Sequence, residues 1–324
     1  MKLCTFETGR LTRVGVEMPD GRIMDLNNGY AVKLEADGHP KAQAMADVLT
    51  PPDMIEFIKS EKLGLQAAKE ALDYVAENAE TLKDTEPKVI YAPSEIHFMA
   101  PIPNPSKVCA VVLNSCKFMS TATHPDPPHP LYFFKPASAL CGPFDNIELG
   151  DIGPVASEAE MCFVFNRKCK YVDAADAMDY VYGYIAHNDV PATGISKTIE
   201  WVTPQGGTPR NYTGRSKCQD TFSPMGPWLV TADEIDPNNV HIEAYCGDIQ
   251  IQCGDTSEMF FKMPEVIEWL TSGHTWLPGD IVSWGTVGKP VGAQFETIDI
   301  RGWGGPLITD VTGVGRMVNS IKKI

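Results

Sequence analysis

SEAEMCFVF, Ser157 to Phe165, is the stretch on which the fold turns. Five of its last six residues are apolar, and the run has the length and β-rich composition of a buried strand. Glu158 and Glu160 stand at its entrance with a single residue between them. In a strand, residues i and i+2 share a face roughly 6.5–7 Å apart, so the two carboxylates would lie side by side at the lip of a core. That pattern demands either full solvation or a positive group between them.

Outward from this strand, similar runs fill the chain beyond about residue 103: KVCAVVL, LYFFK, PWLVT, HIEAYC, DIQIQC, DIVSWGT and ETIDIRG. Two helices are expected among them, one after Asp173 through AADAMDYVYG and one over MPEVIEWLTSG. Towards the N-terminus, LTRVGVEM and RIMDLN read as short strands joined by the turn PDGR, and AQAMADVL and KLGLQAAKEALDYVAENAETL follow the helical period. The proline-rich YAPSEIHFMAPIPNPSK reads as an extended linker. The expected organisation is a smaller N-terminal domain with linker over residues 1–103 and a larger domain over 104–324. Strands outnumbering helices make the class α+β, predominantly β. No glycine-rich dinucleotide fingerprint or Walker loop is present, and GVGRMVNS is only a partial match outside a strand-to-helix unit.

The chain has 324 residues, 21% charged and 43% hydrophobic, as in a globular protein with a proper core. Its net charge of -15 argues against nucleic acid or an acidic membrane as partner but leaves room for an anionic small molecule beside a metal ion. The nine cysteines show no zinc-like spacing, and several sit in apolar runs, as expected of reduced thiols in a cytoplasmic protein. The start MKLCTFETGR has no apolar signal core, and no run approaches the length of a membrane span.

A third carboxylate, Asp189 in GYIAHNDV, is expected at the end of a strand beside His187 and Asn188. With Glu158 and Glu160 it could form an oxygen-rich pocket suited to Mg²⁺ or Mn²⁺; the alternative is two solvated glutamates and an unrelated aspartate. Seven segments in register decide how to weigh these. They are APIPNPSKVCAVVLN, YFFKPASALCGP, EAEMCFVF, YVYGYIAHNDV, KCQDTFSPMGPWLVTADEI, GDIQIQCGDTSEMFF and LPGDIVSWGT. From about Ala100 onward the chain resembles the fumarylacetoacetate hydrolase family. The resemblance implies a mixed β-sandwich or roll catalytic domain, a smaller N-terminal α/β domain, and a homodimer. It also implies that Glu158, Glu160 and Asp189 bind Mg²⁺ or Mn²⁺, that Lys217 neutralises developing negative charge, and that Thr286 contacts substrate.

The departures from the family pattern bear on the reaction. Phe118 stands where hydrolytic members carry a lid histidine, and Thr193 and Ser196 stand where an arginine and a glutamine are usual. One reading is a C–C bond hydrolase acting on a small 2-oxo or 1,3-diketo acid. In it His124 or His129 replaces the lost base, Arg210 or Arg215 replaces the arginine, and Phe118, with Trp201 and Trp228, lines an apolar pocket. A second is a metal-dependent decarboxylase or tautomerase of a 2-oxo acid, which needs an electron sink more than an activated water. A third is a non-catalytic, metal-stabilised binding protein.

Overall fold

The computed structural model describes residues 1–115, 128–196, 213–288, 299–302 and 304–324. Strands β1 (Lys2–Thr8), β2 (Leu11–Glu17) and β3 (Ile23–Asp25) open the chain. Helices α1 (Leu26–Ala36), α2 (Ala42–Leu49), α3 (Met54–Lys59), α4 (Glu61–Glu77) and α5 (Ala79–Leu82) follow, and the short strands β4 (Ile90–Tyr91) and β5 (His97–Phe98) lie in the proline-rich stretch. RIMDLN is therefore not one strand. Asp25 accepts a hydrogen bond from the Asn28 N–H at 3.0 Å, which caps α1 and turns the chain out of the sheet after three residues.

The remaining strands are β6 (Val108–Val112), β7 (Leu131–Lys135), β8 (Leu140–Cys141), β9 (Ile147–Leu149), β10 (Ala159–Phe165), β11 (Val181–Asn188) and β12 (Ser223–Thr231). After them come β13 (His241–Cys246), β14 (Ile249–Asp255), β15 (Ile281–Thr286), β16 (Leu307–Val311), β17 (Gly315–Asn319) and β18 (Ile321–Lys323). The MPEVIEWLTSG helix forms as expected over Met263–Gly273. The turn after Asp173 is instead a 3₁₀ helix, Ala174–Tyr180, to which Asp173 gives no side-chain cap. The ETIDIRG run lies largely outside the described residues.

One large mixed sheet runs β4-β3-β2-β1-β12-β11-β10-β15-β6-β7, with β5 and β8 paired off this path. A second sheet, β14-β13-β16-β17, packs over β10 to β12. β10 is buried along all seven residues because both its faces are covered, which explains a continuous apolar run in place of an alternating one. Met161, Phe163 and Phe165 enter a core with Trp276 and Trp284; Cys162 and Val164 enter another with Ile185, Leu229, Ile281 and the helix residues Phe57, Ala68 and Val75. Residues on both sides of position 103 share that second core, and β1 pairs with β12, Leu3 opposite Leu229.

Candidate metal and substrate site

The cross-strand register builds the site. Glu160 on β10 lies opposite His187 on β11, and Cys162 lies opposite Ile185 on one side and Ser283 of β15 on the other. Partners across a ladder share a face, so Glu160, His187 and Ser283 converge. Glu158 immediately precedes β10 and Asp189 immediately follows β11; the Asp189 N–H donates to the Glu158 carbonyl at 2.8 Å, which locks the two strand ends together. One oxygen from each of Glu158, Glu160 and Asp189 lies within 4.8 Å of the others.

Lys217, on the short helix Thr213–Lys217, brings a positive charge to one of the two glutamates, Glu158. Its Nζ donates to Glu158 Oε2 and, at 2.6 Å, to Asp189 Oδ2. A second lysine was not singled out in the sequence. Lys135, ending β7, is wholly buried and donates to Asp189 Oδ1, to the Lys217 carbonyl at 2.6 Å and to the Phe222 carbonyl at 3.2 Å. A lysine closing an apolar strand, LYFFK, was the available signal, since a cation there needs an acid partner.

Glu160 has a different environment. Ser283 Oγ and the Gly285 N–H, at 3.2 Å, donate to its Oε2, and His187 Nδ1 stands 4.0 Å away. His187 is held between two serines, with Nδ1 2.7 Å from Ser283 Oγ and Nε2 2.8 Å from Ser223 Oγ. With Glu160 ionised, Ser283 spends its proton on the carboxylate and must accept from Nδ1–H, so Nε2 accepts from Ser223. Burial pushes the imidazole down to about 3, and it is neutral.

These surroundings separate the three acids. Burial raises Glu160 well above the ordinary carboxylate range, with Asp189 adding to the effect, and burial raises Glu158 against the pull of Lys217. Burial would raise Asp189 too, but Lys135 and Lys217 outweigh it and hold that carboxyl low. Lys217 is held above its usual value by Asp189 and Glu158 in spite of burial. The chemistry of the set is thus an oxygen-rich pocket with a surplus of acid over base, of the kind a hard divalent ion fits.

Thr286, ending β15, joins the site's edge: Gln252 of β14 donates to its Oγ1, and that hydroxyl donates to the Ala159 carbonyl at 3.1 Å. Gln252 also clamps Ala159, accepting from its N–H at 2.8 Å and donating to its carbonyl at 3.1 Å. His129 is placed against Trp269, ring centroids 4.2 Å apart and nearly parallel. Arg215 is exposed, its carbonyl accepting from Gln219 at 2.7 Å. Trp228 packs edge-on against Phe98. Thr193 donates to the Pro154 carbonyl at 3.1 Å. Phe118, His124, Trp201 and Arg210, and the side chain of Ser196, lie outside the described residues.

The chain belongs to the fumarylacetoacetate hydrolase family: the fumarylacetoacetate (FAA) hydrolase C-terminal family matches residues 107–322, the part that carries the three acids and both lysines. Members of this family are enzymes. The chain is 33% identical over 277 residues to the mitochondrial oxaloacetate tautomerase fahd2 of Xenopus laevis, covering 85% of this chain and 75% of that one. Two solved structures share its fold. Maleylpyruvate hydrolase from Sphingobium sp. SYK-6, in complex with manganese(II) ion and pyruvate, superposes with a TM-score of 0.68 at 22% identity, covering 100% of this chain and 99% of that one. The 5-carboxymethyl-2-hydroxymuconate delta-isomerase of Mycobacterium smegmatis does so with a TM-score of 0.67 at 22% identity and the same coverage. Among the described residues no helix is long and apolar enough to cross a membrane.

Proposed function

We propose that the chain is a divalent-metal-assisted enzyme that interconverts the keto and enol forms of a small 2-oxo acid of the oxaloacetate class. The observation that carries this reading is the charge balance of the buried cluster. Three carboxylates face two ammonium groups, and Glu160 is met by neutral donors. Mg²⁺ or Mn²⁺ fits this donor set, held by one oxygen each of Glu158, Glu160 and Asp189. When bound, such an ion supplies Lewis-acid stabilisation of negative charge on a carbonyl oxygen beside the substrate's carboxylate. Lys217, whose Nζ lies against Glu158 and Asp189, would add a fixed positive charge beside such an ion. Lys135 acts through Asp189, holding its carboxylate ionised and aimed. Thr286 offers a hydroxyl at the pocket's edge.

Moving a proton between carbon and oxygen needs a stabilised enolate; hydrolysis needs, in addition, a base to activate water. The histidine that reaches the acids among the described residues is His187, and both its ring nitrogens are engaged by serines. Similarity to an oxaloacetate tautomerase supports the same choice.

The test is turnover by metal-stripped protein, with and without Mg²⁺ or Mn²⁺, on enol-oxaloacetate and on an acylpyruvate. Metal-dependent loss of the enol absorbance, with neither acylpyruvate cleavage nor CO₂ release, is expected. Cleavage of the acylpyruvate would overturn the reading in favour of a hydrolase and make His124 and His129 the first residues to replace. CO₂ release would mean a decarboxylase, and metal binding without turnover a binding protein.

A further inference from the structure

A second group of ligating side chains lies on the β13–β14 ribbon, apart from the carboxylate cluster. His241 and Glu243 alternate along β13 with the buried Ile242 and Ala244. The register sets Asp255 opposite His241 and Cys253 opposite Glu243, so all four side chains emerge on one face. Gln252, next to Cys253 in sequence, points inward to Ala159 and Thr286. The face is open to solvent, with His241 40% and Asp255 49% exposed.

Three kinds of donor converge there. His241 Nε2 is 3.3 Å from Glu243 Oε1 and 3.7 Å from Cys253 Sγ. Nitrogen, oxygen and sulfur ligands of a tetrahedral zinc ion sit roughly 3.3–3.6 Å apart, given bond lengths of about 2.0–2.3 Å. The supports are also in place. His241 Nδ1 is 2.9 Å from Asp255 Oδ1, a carboxylate–histidine pair that fixes the ring and turns Nε2 towards the other two. Glu243 is oriented by Tyr245 OH, which donates to Oε2 at 3.0 Å, and by Gln250 Nε2, which donates to Oε1 at 3.0 Å. A carboxylate at each ring nitrogen requires positive charge on or beside the imidazole, which either an imidazolium proton or a metal ion provides.

We propose that His241, Glu243 and Cys253 form a site for one borderline-soft divalent ion of the zinc class, with Asp255 positioning the imidazole and a solvent molecule completing a four-coordinate shell. Binding replaces any proton on His241 Nε2 and the thiol proton of Cys253, both of which leave to solvent. The sulfur donor distinguishes this site from the all-oxygen set of Glu158, Glu160 and Asp189, which suits harder ions.

The experiment uses the full chain, reduced and stripped with a chelator, then titrated with Co²⁺ alone and with Zn²⁺ alone. Co²⁺ is expected to give an intense thiolate-to-cobalt charge-transfer band together with the visible bands of a four-coordinate ion, and dialysis against Zn²⁺ to leave one ion at this site. Cys253→Ser should abolish the charge-transfer band, and His241→Gln should weaken Zn²⁺ affinity by about tenfold or more. Glu160→Gln should leave both signals unchanged. Asp255→Asn keeps all three ligands and should weaken binding less than His241→Gln does. Two results would overturn the proposal: no thiolate band in the wild-type protein, or a band and a Zn²⁺ stoichiometry unaltered in both Cys253→Ser and His241→Gln. His241 would then be an imidazolium held between Asp255 and Glu243.

Discussion

Lys135 shows how a single residue sets the state of its neighbours. Its ammonium exchanges water for the Asp189 carboxylate and two backbone carbonyls. Lys135→Met would strand those acceptors and leave Asp189 dependent on Lys217. Removing one partner of a buried pair costs about 3–5 kcal/mol, so urea denaturation should register a loss of that order; a change below about 1 kcal/mol would mean the pair is dispensable. Lys217→Gln keeps a hydrogen-bond donor but removes the charge, and kcat should fall by about a hundredfold or more at unchanged circular dichroism. Unaltered turnover would place the lysine away from the reacting oxygen. E-A-E and N-D announce carboxylates at strand ends, but it took the family resemblance to join the three acids into one set, since their spacing alone equally allows solvated glutamates and an unrelated aspartate. Lys135 was not legible, because its meaning depends on Asp189, a residue 54 positions away. Ser283 and Gln252 were hidden for the same reason: a serine or glutamine in a strand declares nothing until its cross-sheet partner is known.

At the scale of elements, β15 carries a constraint at Gly285, whose φ is 105°. A Cβ there would stand 2.9 Å from the Asn114 Cβ, and the Gly285 N–H serves Glu160. Gly285→Ala should destabilise the protein by about 1–3 kcal/mol and weaken Mn²⁺ binding with it, read by thermal melting and by titration. An alanine variant as stable as the parent would show that the strand can shift freely. β5 brings a pH dependence. The Asp145 carboxylate 2.7 Å from His97 Nε2, with Glu7 assisting, holds this imidazole above its ordinary 6.5. A raised folded-state value means the pair's contribution is complete below about pH 6.5 and is lost as pH climbs through the higher folded value. The melting-temperature difference between wild type and His97→Gln should therefore shrink from about pH 6 to about pH 9, and a constant difference would count against it. Many strands were readable from β-branched and aromatic runs, but β1 and β16 to β18 were not, and α1 was missed because its cap, Asp25, sits inside what looks like a strand.

For the whole molecule, the shared sheet and core make the N-terminal part structural support for the site. Leu3 lies opposite Leu229, and Phe57 and Val75 pack in the same core as Cys162 and Val164. A chain limited to residues 104–324 would expose the β12 edge and that core, and should aggregate or melt early; a folded, active fragment would refute this. An ion that binds only the folded state at one hundred times its Kd stabilises by about 2.7 kcal/mol. Mn²⁺ should raise the melting temperature accordingly, and Glu160→Gln should remove the gain. The fold class could be anticipated from strand composition, but the joining of the two parts could not, since no local pattern specifies that the first strand pairs beside the twelfth. The spacing of the cluster has a consequence in time. Ser283 reaches Glu160 across 123 residues, Lys217 reaches Glu158 across 59, and Lys135 reaches Asp189 across 54. Contacts of such long range form slowly, because loop closure precedes its reward. A refolding chain would then acquire its affinity for an ion only when the last strand docks, and metal uptake would serve as a stopwatch for the completion of folding.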